Sequence, residues 1–304
     1  MKKIALLFII LLSIVLSVLA DRYYLIWQKN EESKQLLIRK EQAWNELLLA
    51  INKEINNLNG EAGVIIKDLQ SNRMISVNEK ERFPSASLVK ILIMAACFQA
   101  AQEGKLKLGD TIKLKLTDKM PESGILKDVS PGKELTIEEL LEFMIIASDN
   151  TATNILTNKL GINYLNNYFK SLGLVNTNLS RKIADFASRD RGIENYTTAE
   201  DIAYILEKIY NRSLINKDIS EKCLKLLKLQ RMNDRIPKYL PAEITVAHKT
   251  GLERSVCHDA GIVFTRKGNF LVCVLTKHAN SNSIPSKEFI AKVALYAYNY
   301  FERL

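Results

Sequence analysis

Hydrophobic positions are distributed unevenly along this chain, and their periods divide it into segments. Residues 4–20 form an uncharged apolar run preceded by Lys2 and Lys3. Soluble helices are seldom hydrophobic all round, so the run is read as an export signal. Val18-Leu19-Ala20 ends in the small residue of a cleavage site. The run also reaches spanning length, and Tyr23, Tyr24 and Trp27 stand where the interfacial aromatics of a retained anchor would. A cleaved signal and a retained anchor both fit; no Cys follows at a lipobox position. In either case Lys2 and Lys3 stay inside and the rest faces outward.

Residues 28–40 are polar and charged, a spacer. Trp44, Leu47, Leu48, Ile51, Ile55 and Leu58 then recur with helical period until Asn59-Gly60. Residues 62–69 and 74–77 read as a hairpin around Gln70-Ser71-Asn72-Arg73, closed off by Phe83-Pro84. Residues 87–102 are strongly apolar and helical. Thr136-Ile137-Glu138-Glu139 is a capping box that opens a helix carrying Leu140, Leu141, Met144 and Ile145. Thr197-Thr198-Ala199-Glu200 opens another, with Ile202, Ile205, Leu206 and Ile209. No period runs between Leu174 and Tyr196, and a loop that long in a compact domain is usually functional. Strand patterns return at 244–248, 261–266 and 270–276, followed by a helix over 286–300. Strands at both ends and helices between predict an α+β fold: one antiparallel five-stranded sheet built from both chain ends, flanked by helices, with an all-helical subdomain inserted at about 87–240.

Composition narrows the function. The chain has 304 residues, 47% hydrophobic and 25% charged, enough for a large core. Its formal charge of +9 comes from dispersed basic residues without interleaved aromatics, and there is no Gly-rich phosphate loop. A Lys-rich envelope surface is expected, not nucleic-acid binding. Cys97, Cys223, Cys257 and Cys273 are widely spaced, and His248, His258 and His278 lack a helical zinc spacing, so no metal is expected. Cys97 and Cys273 lie in apolar runs and read as small buried hydrophobes.

Three short motifs carry chemistry. Ser87-Leu88-Val89-Lys90 places a hydroxyl and an amine one turn apart at the start of an apolar helix. A buried amine of lowered pKa can take the proton of such a hydroxyl. Ser130-Pro131-Gly132-Lys133 has the same spacing, but Pro131 and Gly132 make it a turn. Ser148-Asp149-Asn150 follows one apolar helix and precedes Thr151-Ala152-Thr153-Asn154. Lys249-Thr250-Gly251 directly follows the strand 244–248 and offers a carboxylate a charge, a hydroxyl and an open backbone. Each alone also reads as an ordinary helix start, cap or edge strand.

The order SxxK, SDN, KTG is the signature of class A β-lactamases and penicillin-binding proteins. With Ser123-Gly124-Ile125-Leu126 and His248 before Lys249, the chain resembles that serine hydrolase family from about residue 41 to the end. The resemblance implies residues 1–27 as signal or anchor, 28–40 as spacer and 41–304 as catalytic domain. It implies Ser87 as nucleophile, Lys90 as proton acceptor, Ser148 as general acid to the leaving nitrogen, and Asn150 as a support for Lys90 and substrate. Lys249, Thr250 and Gly251 would bind the substrate carboxylate. The backbone N–H groups of Ser87 and Leu252 would form the oxyanion hole. Ser123 would stand at the cleft rim, where many relatives carry an aromatic.

The same resemblance implies β-lactam hydrolysis by a monomer without cofactor, acting on a small-molecule β-lactam or a peptidoglycan stem peptide, outside the cytoplasm. The alternatives are a DD-peptidase or a membrane-anchored β-lactam sensor. One departure matters most. The family's water-activating Glu falls in the long loop two residues after an Arg, and here Arg181-Lys182 is followed by Ile183. Asp185 is the nearest acid and the expected stand-in, with Glu194 further along. Leu252 replaces a small or hydroxylated residue, and Arg254 is the candidate helper of Lys249.

Overall fold

The structure is a computed structural model that describes residues 2–120, 124–278 and 282–303. The chain divides into two compact units, the N-terminal residues 1–49 with Leu304, and residues 50–303. Helix α1 (Lys2–Asn57) begins in the first unit and ends in the second. In the first unit its apolar stretch is long enough to cross a membrane and none of it is buried. The spacer expected at 28–40 is helical as well. Its residues include good helix formers such as Glu, Lys, Gln and Leu and no Gly or Pro, so nothing in it ends the helix.

The second unit holds a five-stranded sheet in the order β2-β1-β9-β8-β7, all neighbours antiparallel. The strands are β1 (Gly60–Asp68), β2 (Met74–Val77), β7 (Thr245–Glu253), β8 (Val256–Phe264) and β9 (Phe270–His278). Both chain ends therefore supply strands, as the hydrophobic pattern predicts. β8 and β9 are buried almost without interruption, so the sheet is covered on both faces. Helices α7 (Ala199–Tyr210) and α9 (Ile284–Arg303) both pack on it.

Between the strand groups lie β3 (Phe83–Pro84), α2 (Val89–Gln102), β4 (Thr111–Lys113), β5 (Glu134–Thr136), α3 (Ile137–Ile146), α4 (Asn150–Leu160), α5 (Ile162–Ser171), α6 (Phe186–Asp190), β6 (Tyr196–Thr197) and α8 (Lys217–Lys228). Helix α2 is buried around its whole circumference, so it forms the axis of the helical region and carries Lys90 into the core. The expected capping box opens α3: Glu139 N donates to Thr136 Oγ1 at 3.1 Å and Thr136 N to Glu139 Oε2 at 2.7 Å. Thr198 caps α7 with its side chain alone, Oγ1 accepting from Asp201 N at 3.1 Å.

Strands β7 and β8 are longer than their apolar patterns. Lys249-Thr250-Gly251 lies inside β7 and not after it, and β8 starts at Val256. The hidden parts hold buried polar residues, among them Lys249, Thr250, His258 and Asp259, whose backbones the ladder satisfies while their side chains bond to Ser148, Met232, Pro84 and His248 respectively. All four cysteines are buried and free.

Candidate active site

The segment that enters α2 is tied down on both sides. β3 pairs with β6 at the end of the long loop, and Ser85 N donates to Asn195 O at 2.7 Å. Ala86 then takes φ 43°, a left-handed conformation that costs a non-glycine residue about 1–3 kcal/mol. The 3-10 turn Ala86–Leu88 follows and leads directly into α2. Ser87 is half-buried there and lines a cavity of about 530 Å³. Strand β7 runs close beside it: a Cβ on Gly251 would come within 3.3 Å of Ala86 Cβ and 3.1 Å of His258 Cδ2.

Two buried amines meet at one hydroxyl. Lys90 Nζ donates to Ser148 O at 2.7 Å, to Asn150 Oδ1 at 2.8 Å and to Ser148 Oγ at 3.2 Å. Lys249 Nζ donates to the same Ser148 Oγ at 3.0 Å and to Thr250 O at 2.9 Å. Burial pushes the Lys90 amine down to about 7, against the opposing pull of Asp149 and Glu253. Burial, helped by the charge of Lys90, also holds Lys249 well below the usual lysine range. Ser148 reaches this position through a left-handed backbone, φ 53°.

The middle residue of the serine motif explains that turn. Asp149 caps α4 by accepting from Ala152 N at 2.9 Å. Its Oδ2 accepts from Ile125 N and Leu126 N, both at 2.7 Å. The carboxylate thus binds the 124–126 turn to the start of α4. Gly124 is required there, with φ 94° and no room for a Cβ against Asp149. Ser123 lies outside the described residues.

The long loop is fastened from below. Asn154 exchanges two 3.0 Å hydrogen bonds with the backbone of Ile183, which is buried and lines the cavity. Arg181 is 1% exposed and pairs with Glu194 at 2.7 Å and with Glu253 of β7 at 3.0 Å. Asp185 does not come to the cavity wall. It is the N-cap of α6: Oδ1 accepts from Ser188 N at 3.0 Å and Oδ2 from Ser188 Oγ at 2.7 Å. These bonds hold its carboxyl below the usual range. The expectation that Asp185 replaces the loop base therefore lacks geometric support.

Thr250 lines the cavity together with Met232, Asp234, Arg235, Arg254 and Lys287. Arg235 is buried beneath the strand, with Nε on Cys257 Sγ at 3.2 Å and Nη1 3.1 Å from Asp234 Oδ1, without a hydrogen bond of good geometry at Nη1. Asp259 organises this floor. It pairs with His248 Nδ1 at 2.9 Å and accepts from Ile236 N at 3.1 Å. Arg254 lines the cavity, and Arg235, Asp259 and Glu253 belong to no local motif in the sequence. The decoy Lys133 and Ser130 lie in an exposed or half-exposed turn at Pro131-Gly132.

Ser87, Ser148, Asn150, Thr250 and Leu252 thus line one cavity, with Lys90 and Lys249 reaching Ser148 from beneath it. A serine at the start of a buried helix, two converging amines and this sheet define a serine acyl-transfer class. The sequence model of the beta-lactamase enzyme family matches residues 46–301, and the chain belongs to that family, on its class A side. Among characterised relatives are the extended-spectrum beta-lactamase PER-1 of Pseudomonas aeruginosa, 25% identical over 237 residues that cover 74% of this chain and 77% of its own. Beta-lactamase VEB-1 of the same organism is 24% identical over 277 residues, covering 84% and 91%. The beta-lactamase of Sphaerobacter thermophilus DSM 20745 superposes with a TM-score of 0.79 at 30% identity, covering 86% of this chain and 98% of its own. A leucine-to-glutamate variant of PBP-A, solved as an acyl-enzyme with penicillin G, gives 0.78 at 29% identity, covering 86% and 97%.

Proposed function

We propose that this chain is an exported serine hydrolase that forms an acyl-enzyme with β-lactams on Ser87 and hydrolyses the cyclic amide. The observation that carries this reading is the convergence of Lys90 and Lys249 on Ser148 Oγ, at 3.2 and 3.0 Å, in the cavity that Ser87 lines. An amine with a pKa of about 7 is partly neutral at neutral pH and serves as the acceptor of the Ser87 proton. Ser148, between both amines, passes a proton to the departing nitrogen. Lys249, Thr250 and Arg235 bind the substrate carboxylate, and the N–H groups of Ser87 and Leu252 take the developing oxyanion. The apolar N-terminal stretch acts as export signal or membrane anchor, with residues 41–304 as the catalytic part outside the cytoplasm.

A second reading is a penicillin-binding DD-peptidase or sensor that keeps its acyl group. It is favoured by Ile183 at the family's loop-base position and by the capping role of Asp185. Both readings share the first half of the chemistry. Incubation with penicillin G and intact-mass measurement should give an adduct that Ser87→Ala abolishes and Ser130→Ala leaves untouched. Labelling that persists in Ser87→Ala removes both readings.

A further inference from the structure

Hydrolysis of an acyl-serine needs a base for the incoming water, and neither Ile183 nor the self-capped Asp185 supplies one. A different carboxylate lines the same cavity as Ser87. Glu253 lies on β7, and period two places it on the strand face that also carries Lys249 and Gly251. That face brings Lys249 Nζ to Ser148 and Gly251 against Ala86, next to the nucleophile. The Glu253 side chain is 13% exposed. Its Oε2 accepts from Arg181 Nη2 at 3.0 Å, whereas Oε1 accepts no hydrogen bond from any described residue.

The charges around it favour a usable base. Arg181 is shared with Glu194, so one guanidinium serves two carboxylates and the trio keeps a formal charge of −1. Arg189 adds positive charge, and Arg254 and Asp190 line an adjoining cavity that also touches Glu253. Lys90 responds to the Glu253 charge from the other side. Burial outweighs Arg181 and pushes the Glu253 carboxyl above its ordinary range. A perturbed carboxyl in a cleft beside a nucleophile is the pattern of a working acid–base group.

We propose that Glu253 is the base that activates the deacylating water, delivered from strand β7 instead of the long loop. The proposal rests on the acyl-enzyme reading above. Glu253 takes one proton from water as the water oxygen bonds to the acyl carbon. The tetrahedral intermediate then collapses with cleavage of the carbon–Oγ bond as Glu253 gives its proton to Ser87 Oγ, and the product leaves as a carboxylic acid.

The test uses the full chain in detergent, acylated with penicillin G, with loss of the Ser87 mass adduct followed over time. Glu253→Gln should still form the adduct and lose it about 10²–10⁴-fold more slowly. The wild-type loss rate should fall as pH drops through the raised Glu253 value, and that acid limb should vanish in the variant. Glu194→Gln removes the other partner of Arg181 but not the base, so it should keep the acid limb and move it to lower pH, because Arg181 then serves Glu253 alone. Equal slowing by Glu194→Gln would make Glu253 a loop-positioning residue and overturn the proposal, as would an unchanged lifetime in Glu253→Gln or a wild-type adduct that never decays. If Glu253→Gln does not fold, the wild-type profile decides: a rate that stays flat from neutral pH down to the onset of acid unfolding overturns it. A chain that forms no Ser87 adduct overturns the acyl-enzyme reading too, whereas an adduct whose loss ignores Glu253 overturns this inference alone.

Discussion

Acidification should loosen the nucleophile turn through His258. This ring is fully buried on β8 and locked as one neutral tautomer. Its Nε2–H donates to Pro84 O at 2.8 Å, three residues before Ser87, and its Nδ1 accepts from Thr276 N at 3.1 Å. Protonation would set N–H against N–H at Thr276 and place a charge in the core. Burial accordingly pushes the folded value down from 6.5 to about 4. Above pH 6.5 folded and unfolded chains both hold the neutral ring, and the full stability is present. Below 6.5 the unfolded ring takes up a proton that the folded one refuses until about pH 4, so stability falls with pH across that window. Between pH 7 and 4.5 the loss from this one group is about 2.5 kcal/mol, a large part of a domain's net stability. Urea unfolding of wild type and His258→Gln at both pH values isolates it, because the carboxylates common to both cancel. The variant should be less stable at pH 7, and the gap should narrow by about 2 kcal/mol at pH 4.5. A gap that stays constant would refute the neutral buried ring.

Two further outcomes bear on the site. Lys249→Ala should reduce acylation by ~10²-fold for free-acid substrates and much less for their esters, because a desolvated charge partner is lost, and stopped-flow kinetics with matched pairs would detect equal losses if the assignment is wrong. Asp185→Ala should cost about 1 kcal/mol of stability as a lost cap and leave the adduct lifetime at the wild-type value; a lengthened lifetime would return the base to the loop.

Much of this fold could be read from periods of two and 3.6. The hairpin at 62–77, the capped helices at 136 and 198 and the terminal strands all bury apolar residues in simple repeats. The reading weakened wherever burial was polar. His258 and Asp259 interrupt the alternation of β8, yet both are fully buried because their partners, Pro84, Thr276 and His248, lie far away in sequence. The site divides in the same way. Ser87, Lys90, Ser148, Asn150 and Lys249 sit in short motifs whose spacing is their signal. Arg235 and Glu253 act through distant contacts, with Cys257 and Arg181 respectively, and no local pattern marks them. Asp185 misleads for the opposite reason: it is near the expected register, but a Ser three residues on gives its carboxylate a local partner.

The two lysines also limit how the site is charged. Two ammonium groups donating to one Ser148 hydroxyl, both out of water, repel each other, and Lys90 contributes directly to the depression of Lys249. Their burial at one hydroxyl therefore disfavours full protonation of both. On the proposed reading, a substrate carboxylate beside Thr250 and Arg235 stabilises the charged form of Lys249, while its own negative charge offsets what that ammonium does to Lys90. The anion then fixes which amine carries the charge: Lys249 holds it, and Lys90, kept at about 7 by burial, remains the acceptor. Ser148 links the two because its strained backbone, φ 53°, holds one hydroxyl within reach of both. On that reading a carboxylate-free amide leaves neither amine selected, a difference that the acid and ester comparison for Lys249→Ala registers.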